Sequence, residues 1–346
     1  MALKIFYSLV LPGDAEAPGS SESAADISPA ALQRIPMEEA ASGSLRILEG
    51  SVCAIGVFDG MHAGHRMLIE EALQDSRREG RRCVVLTFDR DPDDFFEKPD
   101  HMKLMDDTQR ISSLADTGAD AVISLVFDST LAGMEPSAFM DEIFLPYTPS
   151  RIYVGEDFRF GFRAQGTAED LRRWGGKHGM DVVAIPLLSD CGEAVTSSRI
   201  RRLLLGGDVT EANRLLGRPY AIHGDVVHGA GKGADMGFQT ANLKISPERA
   251  VLSEGVYAAV ARIGESVYPA AMSCGVSPTF EGERDANIEA HIIGFEGDLY
   301  GRGIELDVLE RLRPMMKFDD IDVLIDTVKG DIDKSRILAS DYLSKD

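Results

Sequence analysis

The sequence predicts an α/β domain built on a parallel sheet, followed by a smaller antiparallel β domain that ends in a helix. Between residue 45 and about residue 185, short apolar runs rich in β-branched residues alternate with helical periods, the pattern of a parallel sheet covered on both faces. After Pro219 glycines become dense, strands short and turns frequent, as in an antiparallel barrel or sandwich. The stretch FDDIDVLIDTVKGDIDKSRILAS then returns to helical period, with Ile321, Leu324, Ile325 and Val328 on one face. The 346 residues suffice for two domains, and the change of texture places their boundary near residue 217.

The opening MALKIFYSLVLPGDAEA has a short apolar run, one lysine and an acidic continuation, which reads as a strand or loose tail rather than a secretory leader. Residues 13 to 44 are rich in Ala, Ser, Glu, Gly and Pro, so residues 1–44 form an extension expected to be flexible or partly ordered. The strands of the first domain are expected in SVCAIGVF, RRCVVLTF, AVISLVF, SRIYVG and MDVVAIP. In HRMLIEEALQDSRREG, Leu68, Ile69, Ala72 and Leu73 share a helix face and Gly80 supplies a stop. Thr167 is placed to cap a helix that runs through Leu171 and Trp174. SRIRRLLLGG and DVTEANRLLG read as two short helices, each ended by glycine. Beyond them, strands are expected in YAIHGDVV, GVYAAVAR, EAHIIGF and GIELDVLERL.

Charge narrows the function classes. With 36 Lys+Arg against 57 Asp+Glu the net charge is −21, which disfavours nonspecific binding to nucleic acid or anionic membrane. A few local amides and basic groups still suffice to hold a phosphate. Cys53, Cys83, Cys191 and Cys274 are widely spaced, with no CxxC, which argues against a zinc site or disulfide framework and fits a reducing cytoplasm. No run of about 20 apolar residues is present.

GVFDGMHAGHR, residues 56 to 66, carries His62 and His65 where a strand hands over to a helix. Ligands of open parallel sheets bind beyond the carboxyl ends of the strands. Gly60 and Gly64 permit a tight turn, and His65 falls near a helix N-terminus, where amides and dipole favour an anion. The two imidazoles suit a phosphate chain; ordinary loop histidines are the alternative, and the strand–turn–helix context favours the ligand reading. In GDVVHGAGKGADMGFQTANL, Gly229, Gly231 and Gly233 supply amides for phosphates or simply form turns. Thr240 and Asn242 offer neutral oxygen ligands for magnesium carried by ATP. Glu289 is either a general base toward a hydroxyl or a solvated strand residue.

HxGH after a strand resembles the nucleotidyltransferase superfamily, and the longer string GVFDGMHAGH is similar to the FAD synthetase (FMN adenylyltransferase) module of bacterial bifunctional riboflavin kinase/FAD synthetases. LTFDRDP stands where that family carries TFxPHP, VGEDFRFG matches a Gly–Asn/Asp–Phe–x–Phe–Gly segment, and VTSSRIRRLLLGGDVTEANRLLGRPY matches its ISSTRIR helix and LLGRPY linker. GFQTANL, GVYA, PTF and EAHIIGFEGDLYG resemble the riboflavin kinase barrel. The likeness covers residues 45 to 346, with the motifs in the family's order. It implies a Rossmann-like nucleotidyltransferase domain over residues 45–217 and an antiparallel β-barrel kinase domain with a C-terminal helix over residues 218–346.

By that resemblance the kinase domain phosphorylates riboflavin with Mg–ATP, and the first domain transfers AMP from ATP to FMN, giving FAD and pyrophosphate. Gly56, Phe58, Asp59, Gly60, His62, His65, Ser197, Ser198, Arg199, Gly231, Lys232, Thr240 and Asn242 fall at ATP-binding positions, with Thr240 and Asn242 beside the metal. His62 and His65 act on the phosphates, and Glu289 falls at the catalytic base. Phe88, Pro92, Phe96, Asp157 and Phe160 fall at flavin-binding positions. ATP, riboflavin and FMN are the implied partners, with no nucleic acid and no membrane, and self-association is expected to be weak or transient at most. The chain departs from the pattern at Arg90 and Asp91, in place of Pro and His, and at Lys232, Gln239 and Gly294, in place of Arg, Pro and Asp. Two rivals follow: a riboflavin kinase with a weakened or inactive adenylyltransferase domain, and a flavin- or nucleotide-binding regulator without turnover.

Overall fold

The computed structural model describes residues 6–10, 34–36, 48–96, 102–228, 240–245, 249, 252–278 and 284–344. Gly229, Gly231, Lys232, Gly233, Gln239, most of the 1–44 extension and the Thr279–Phe280 part of PTF lie outside these residues. The chain forms two compact units: Met1–His101 with Asp106–Thr196, and Met102–Met105 with Ser197–Asp346.

In the first unit the strands are β1 (Phe6–Val10), β2 (Arg34–Pro36), β3 (Val52–Ile55), β4 (Cys83–Phe88), β5 (Ala121–Leu125), β6 (Arg151–Gly155) and β9 (Asp181–Ile185), forming one sheet in the order β2-β1-β5-β4-β3-β6-β9. Five of them, β5-β4-β3-β6-β9, are parallel. The expected parallel sheet is therefore present, and the extension adds two antiparallel strands to its β5 edge, β1 on β5 and β2 on β1. Every residue of β3, β4 and β5 is buried, as expected where helices cover both faces. Small hairpins are formed by β7 (Arg159–Phe160) with β8 (Gly166–Thr167) and by β10 (Ser189–Asp190) with β11 (Glu193–Ala194).

The helices are α1 (Ala63–Glu79), α2 (Pro92–Phe95), α3 (Asp107–Ala115), α4 (Ser129–Ala132), α5 (Pro136–Phe144) and α6 (Ala168–His178). Helix α1 buries Leu68, Ile69, Ala72 and Leu73 and ends on Gly80 in the left-handed conformation, φ 62°. Thr167 caps α6 in a reciprocal box with Asp170. A polar network ties α1 to the sheet: Asp75 accepts hydrogen bonds from Tyr153 and Arg151, and Arg151 also meets Glu79 at 2.7 Å and Asp181 at 2.9 Å. The Tyr153 hydroxyl above all, with Arg78 and Arg151, holds the Asp75 carboxyl below its usual range.

The second unit opens with α7 (Ser197–Gly206) and α8 (Val209–Leu216), which precede a closed barrel in the order β12-β13-β16-β15-β14-β17. Its strands are β12 (Tyr220–Val227), β13 (Ala241–Lys244), β14 (Gly255–Ile263), β15 (Ser266–Pro278), β16 (Arg284–Ile292) and β17 (Gly303–Arg313). Strand β12 alternates strictly, with Tyr220, Ile222, Gly224 and Val226 inward. Strand β14 is buried on both faces over most of its length, because helix α9 (Ile321–Leu343) packs on it. Asn213 of α8 joins the barrel with both ends of its amide: Nδ2 donates to the Val308 carbonyl at 2.8 Å and Oδ1 accepts from the Tyr220 amide at 2.7 Å. Arg313 pairs with the buried Asp331 of α9 at 2.8 Å.

Of the expected apolar face of α9, Leu324, Ile325 and Val328 are half-buried. Ile321 is 62% exposed, while burial is deepest at Asp331, Ile332, Ser335 and Ala339. The apolar period begins before the helix reaches the barrel wall, and small side chains mark where helix and strands approach closely.

Candidate active sites

In the first unit β3 is the switch point of the sheet, with β4 and β5 on one side and β6 and β9 on the other. Three loops follow the carboxyl ends of β3, β4 and β6, and these carry GVFDGMHAGH, DRDP and EDF. Sheet topology therefore gathers at one edge motifs that lie about a hundred residues apart in the chain.

The β3 loop is the most constrained. Phe58 and Met61 take left-handed φ values of 59° and 44°, and Gly60 takes 82°. Such conformations cost bulky residues about 1–3 kcal/mol and concentrate at functional sites. Phe58 and Met61 are nonetheless buried, and Asp59 with them. His62 then caps α1: its Nδ1 accepts the His65 amide at 3.3 Å, which puts the ring proton of neutral His62 on Nε2. The His62 and His65 rings stack at 3.6 Å between centroids, 20° apart, and the Phe58 ring meets His65 edge-on at 5.4 Å. A Cβ on Gly64 would lie 3.3 Å from the His62 ring, and one on Gly56 would lie 3.1 Å from the Phe58 ring. At both positions a side chain would press on the folded-back ring.

The first turn of α1 has no acidic side chain, whereas α2, α3, α6, α8 and α9 each carry Asp or Glu there. The same absence holds at α4, α5 and α7, so it does not by itself set α1 apart. Burial, and then the neighbouring His62, push the His65 pKa well below its ordinary value. His65 Nδ1 is buried with no hydrogen-bond partner. Burial therefore favours the neutral form of His65.

In the β4 loop, Asp91 accepts the Asp93 amide at 2.9 Å and caps α2, whose first residue is Pro92. The acid that departs from the family pattern thus has a local task. Arg90 is half exposed, 4.0 Å from Asp89. Phe96 is 54% exposed, at the rim of an aromatic cluster with Phe95 at 5.4 Å and Phe127 at 6.2 Å. Phe88 lies beneath, buried edge-on to Phe127 at 5.7 Å. Phe160 is a core residue, 5.1 Å from Phe139, and a Cβ on Gly166 would lie 2.7 Å from its ring. Its neighbour Phe158 is half-buried and stacks on it at 5.6 Å; in D-F-R-F the alternation was the signal for weighing Phe158 as well. Asp157 is exposed in the turn after β6.

In the second unit, Ser197, Ser198 and Arg199 open α7, with Ser198 exposed and Arg199 3.5 Å from Glu211. On the barrel, Asn242 of β13 is in register with Glu289 of β16, and Glu289 with Ser273 of β15. Register neighbours share a face, about 5 Å apart at Cβ, and the alternation of β13 turns Asn242 outward while Ala241 and Leu243 fill the barrel. Thr240 immediately precedes β13 and is half-buried. The row Asn242–Glu289–Ser273 is half-buried. Ser273 was missed because β15, interrupted by Pro269 and Gly275, does not read as one strand. The FEGDLYG loop is fastened to the end of β12 by the Gly301 amide on the Val226 carbonyl at 2.9 Å, and Tyr300 stacks on His228 at 3.8 Å. Gly294 occupies a left-handed turn position, φ 82°, where glycine is the low-cost residue.

A parallel-sheet unit with a histidine-capped helix at its switch point, joined in one chain to a barrel that sets a carboxylate beside a side-chain amide, is the architecture of a transferase acting on phosphate compounds. Comparison with known proteins agrees: a family model described as FAD synthetase matches residues 45–199, and one described as riboflavin kinase matches residues 216–339. The chain belongs to the bifunctional riboflavin kinase/FMN adenylyltransferase family. The proteins of that name from Bacillus subtilis and Pseudomonas fluorescens are 32% and 30% identical to it, over 81% and 84% of this chain and 90% and 94% of theirs. A crystal structure described as a macrolide-efflux protein from Streptococcus pneumoniae shares 32% identity and a TM-score of 0.75, covering 83% of this chain and 94% of that one. Among the described residues, no helix is long and apolar enough to cross a membrane.

Proposed function

We propose that the barrel unit phosphorylates riboflavin and the parallel-sheet unit adenylylates the FMN so formed, with the site residues acting as follows. Glu289 takes the proton of the ribityl 5′-hydroxyl as its oxygen attacks the γ-phosphorus of ATP, and the bond from that phosphorus to the bridging oxygen breaks to release ADP. Thr240 and Asn242 hold the magnesium that arrives with ATP. Their hydroxyl and amide oxygens are the hard, neutral donors that Mg²⁺ accepts alongside phosphate and water, and among the described residues no cluster of three or more His, Cys, Asp or Glu forms a separate metal cage. When bound, the metal neutralises phosphate charge. The observation that carries the kinase assignment is the cross-strand pairing of Asn242 with Glu289.

In the second step a phosphate oxygen of FMN attacks the α-phosphorus of ATP, and the bond to pyrophosphate breaks. His62 and His65 donate to the phosphate oxygens as charge shifts to the leaving group. Ser197, Ser198 and Arg199 supply further donors, Arg199 bidentately. Phe96 is the exposed ring for the isoalloxazine, with Phe88 and Pro92 supporting it from below, and Asp157 lies at the polar end. Phe160 supports the site from the core. The unpaired thiols of Cys53, Cys83, Cys191 and Cys274 suit a reducing cytoplasm.

Product analysis tests both steps. Purified protein with ATP and Mg²⁺ is expected to give FAD from riboflavin and from FMN. FMN accumulation without FAD would leave only the kinase half of the reading, and no product from either flavin would refute it.

A further inference from the structure

Helix α3 carries an arginine in an unusual place. Arg110 is only 3% exposed, yet it belongs to no motif that the adenylyl site uses. Its Nη1 donates to the Thr87 hydroxyl at 2.7 Å and reaches the Val57 carbonyl at 3.4 Å. Its Nη2 donates to the Asp107 carboxylate one helical turn earlier, at 3.0 Å. Thr87 itself donates to the same Val57 carbonyl at 3.2 Å. Thus α3, the end of β4 and the start of the histidine loop meet at one peptide group, and a buried guanidinium holds it.

That peptide joins Val57 to Phe58, the residue with φ 59° whose ring meets His65 edge-on. A left-handed phenylalanine persists only where its surroundings over-determine it. The Phe58 carbonyl accepts the Met61 amide at 3.2 Å on the far side; on the near side, Arg110 and Thr87 are the side chains that fix the Val57 carbonyl. Burying a charge for this purpose is costly unless it is paired and fully hydrogen-bonded, and Asp107 and Thr87 meet that requirement.

We propose that Arg110 is a positioning residue for adenylyl transfer: it orients the Val57–Phe58 peptide, and through the Phe58 ring it sets the place of His65 over His62. The proposal rests on the adenylyl reading of the histidine loop. It predicts an effect on the chemical step rather than on substrate affinity, because Arg110 is too deep to touch ATP or FMN.

The test is steady-state kinetics of the full chain with FMN and ATP for Arg110→Met and Arg110→Lys, with riboflavin kinase activity as the count of intact molecules and thermal midpoints to set the assay temperature. Arg110→Met is expected to lower kcat for FAD formation about 10- to 100-fold, the scale of a misplaced catalytic group, with both KM values within about threefold and kinase activity unchanged. Arg110→Lys, which keeps the charge but loses the fork, is expected to fall between; it is the variant to read if Arg110→Met does not fold. An unchanged kcat per folded molecule in the variant read would overturn the proposal, as would a rise in KM alone, which would make Arg110 a substrate contact. Wild-type protein without FAD formation would instead sink the underlying reading.

Discussion

In the parallel-sheet unit His62 stands on a loop beyond a strand end and His65 in the first turn of the helix that follows, whereas in the barrel unit Asn242 and Glu289 stand on the strands themselves. The first site needs strained backbone, two glycines that leave room for rings, and buried side chains to hold the loop. The second needs only register, because the barrel ladder already spaces its groups at about 5 Å. A loop can bring backbone amides, a helix dipole and two imidazoles to one phosphate chain. A strand face offers fewer groups but holds them without strain. The comparison teaches that the two sites should fail differently: the barrel site through loss of a single group, the loop site through loss of placement.

The largest effect is expected on the strand side. Glu289→Gln is expected to cut kcat of the kinase about 10²- to 10⁴-fold, the range of a general base, and to leave FAD formation from FMN intact. Flavin chromatography with each starting substrate measures both, and a kinase that keeps its rate would break the contrast.

Next comes the loop. His65→Gln is expected to lower FAD formation from FMN by about 10²-fold, comparable to removing one transition-state donor, with kinase turnover unaltered. Gly64→Ala, whose Cβ would press the His62 ring, is expected to reproduce part of that loss without removing a donor, and so isolates placement from chemistry. Equal rates for Gly64→Ala and wild type would show that the stacked ring geometry is dispensable.

The smallest effect concerns stability against pH. His65 is held neutral, with its folded pKa below its unfolded value of about 6.5. Above that pH neither state binds the proton and the group contributes nothing. Below it the unfolded chain binds the proton first, so stability falls as pH drops toward the folded pKa, with a slope of at most about 1.4 kcal/mol per pH unit. Urea midpoints of the parallel-sheet unit at pH 7.5 and 5.5 are expected to differ more for wild type than for His65→Gln. Equal differences would mean that the imidazole is not desolvated.

The same contrast explains what was legible in the sequence. The histidine loop announces itself because Gly60, Gly64 and two histidines are costly choices there, and α1 with its Gly80 stop is plain from spacing. The five parallel strands read directly as apolar runs. Glu289 and Asn242, by contrast, look like any outward polar residues of an alternating strand, and resemblance to a family is what favoured the functional reading over the solvated one. Strand β15 escaped because Pro269 and Gly275 interrupt it, and its pairing with β14 and β16 is a long-range fact. Of the three aromatics proposed for the flavin, only Phe96 faces solvent, since an aromatic's type does not reveal which side of a strand end it occupies. Arg110 pairs locally with Asp107, as many surface arginines do, and the partners that give it its place, Thr87 and Val57, lie 23 and 53 residues away.

The two antiparallel strands laid on β5 have a consequence for handling the protein. Without β1, β5 would present an open row of amides and carbonyls along an apolar strand, the kind of template on which chains add to one another. The amino-terminal segment, which contributes no proposed ligand, thus covers that edge, and a chain trimmed of it is expected to precipitate more readily on concentration.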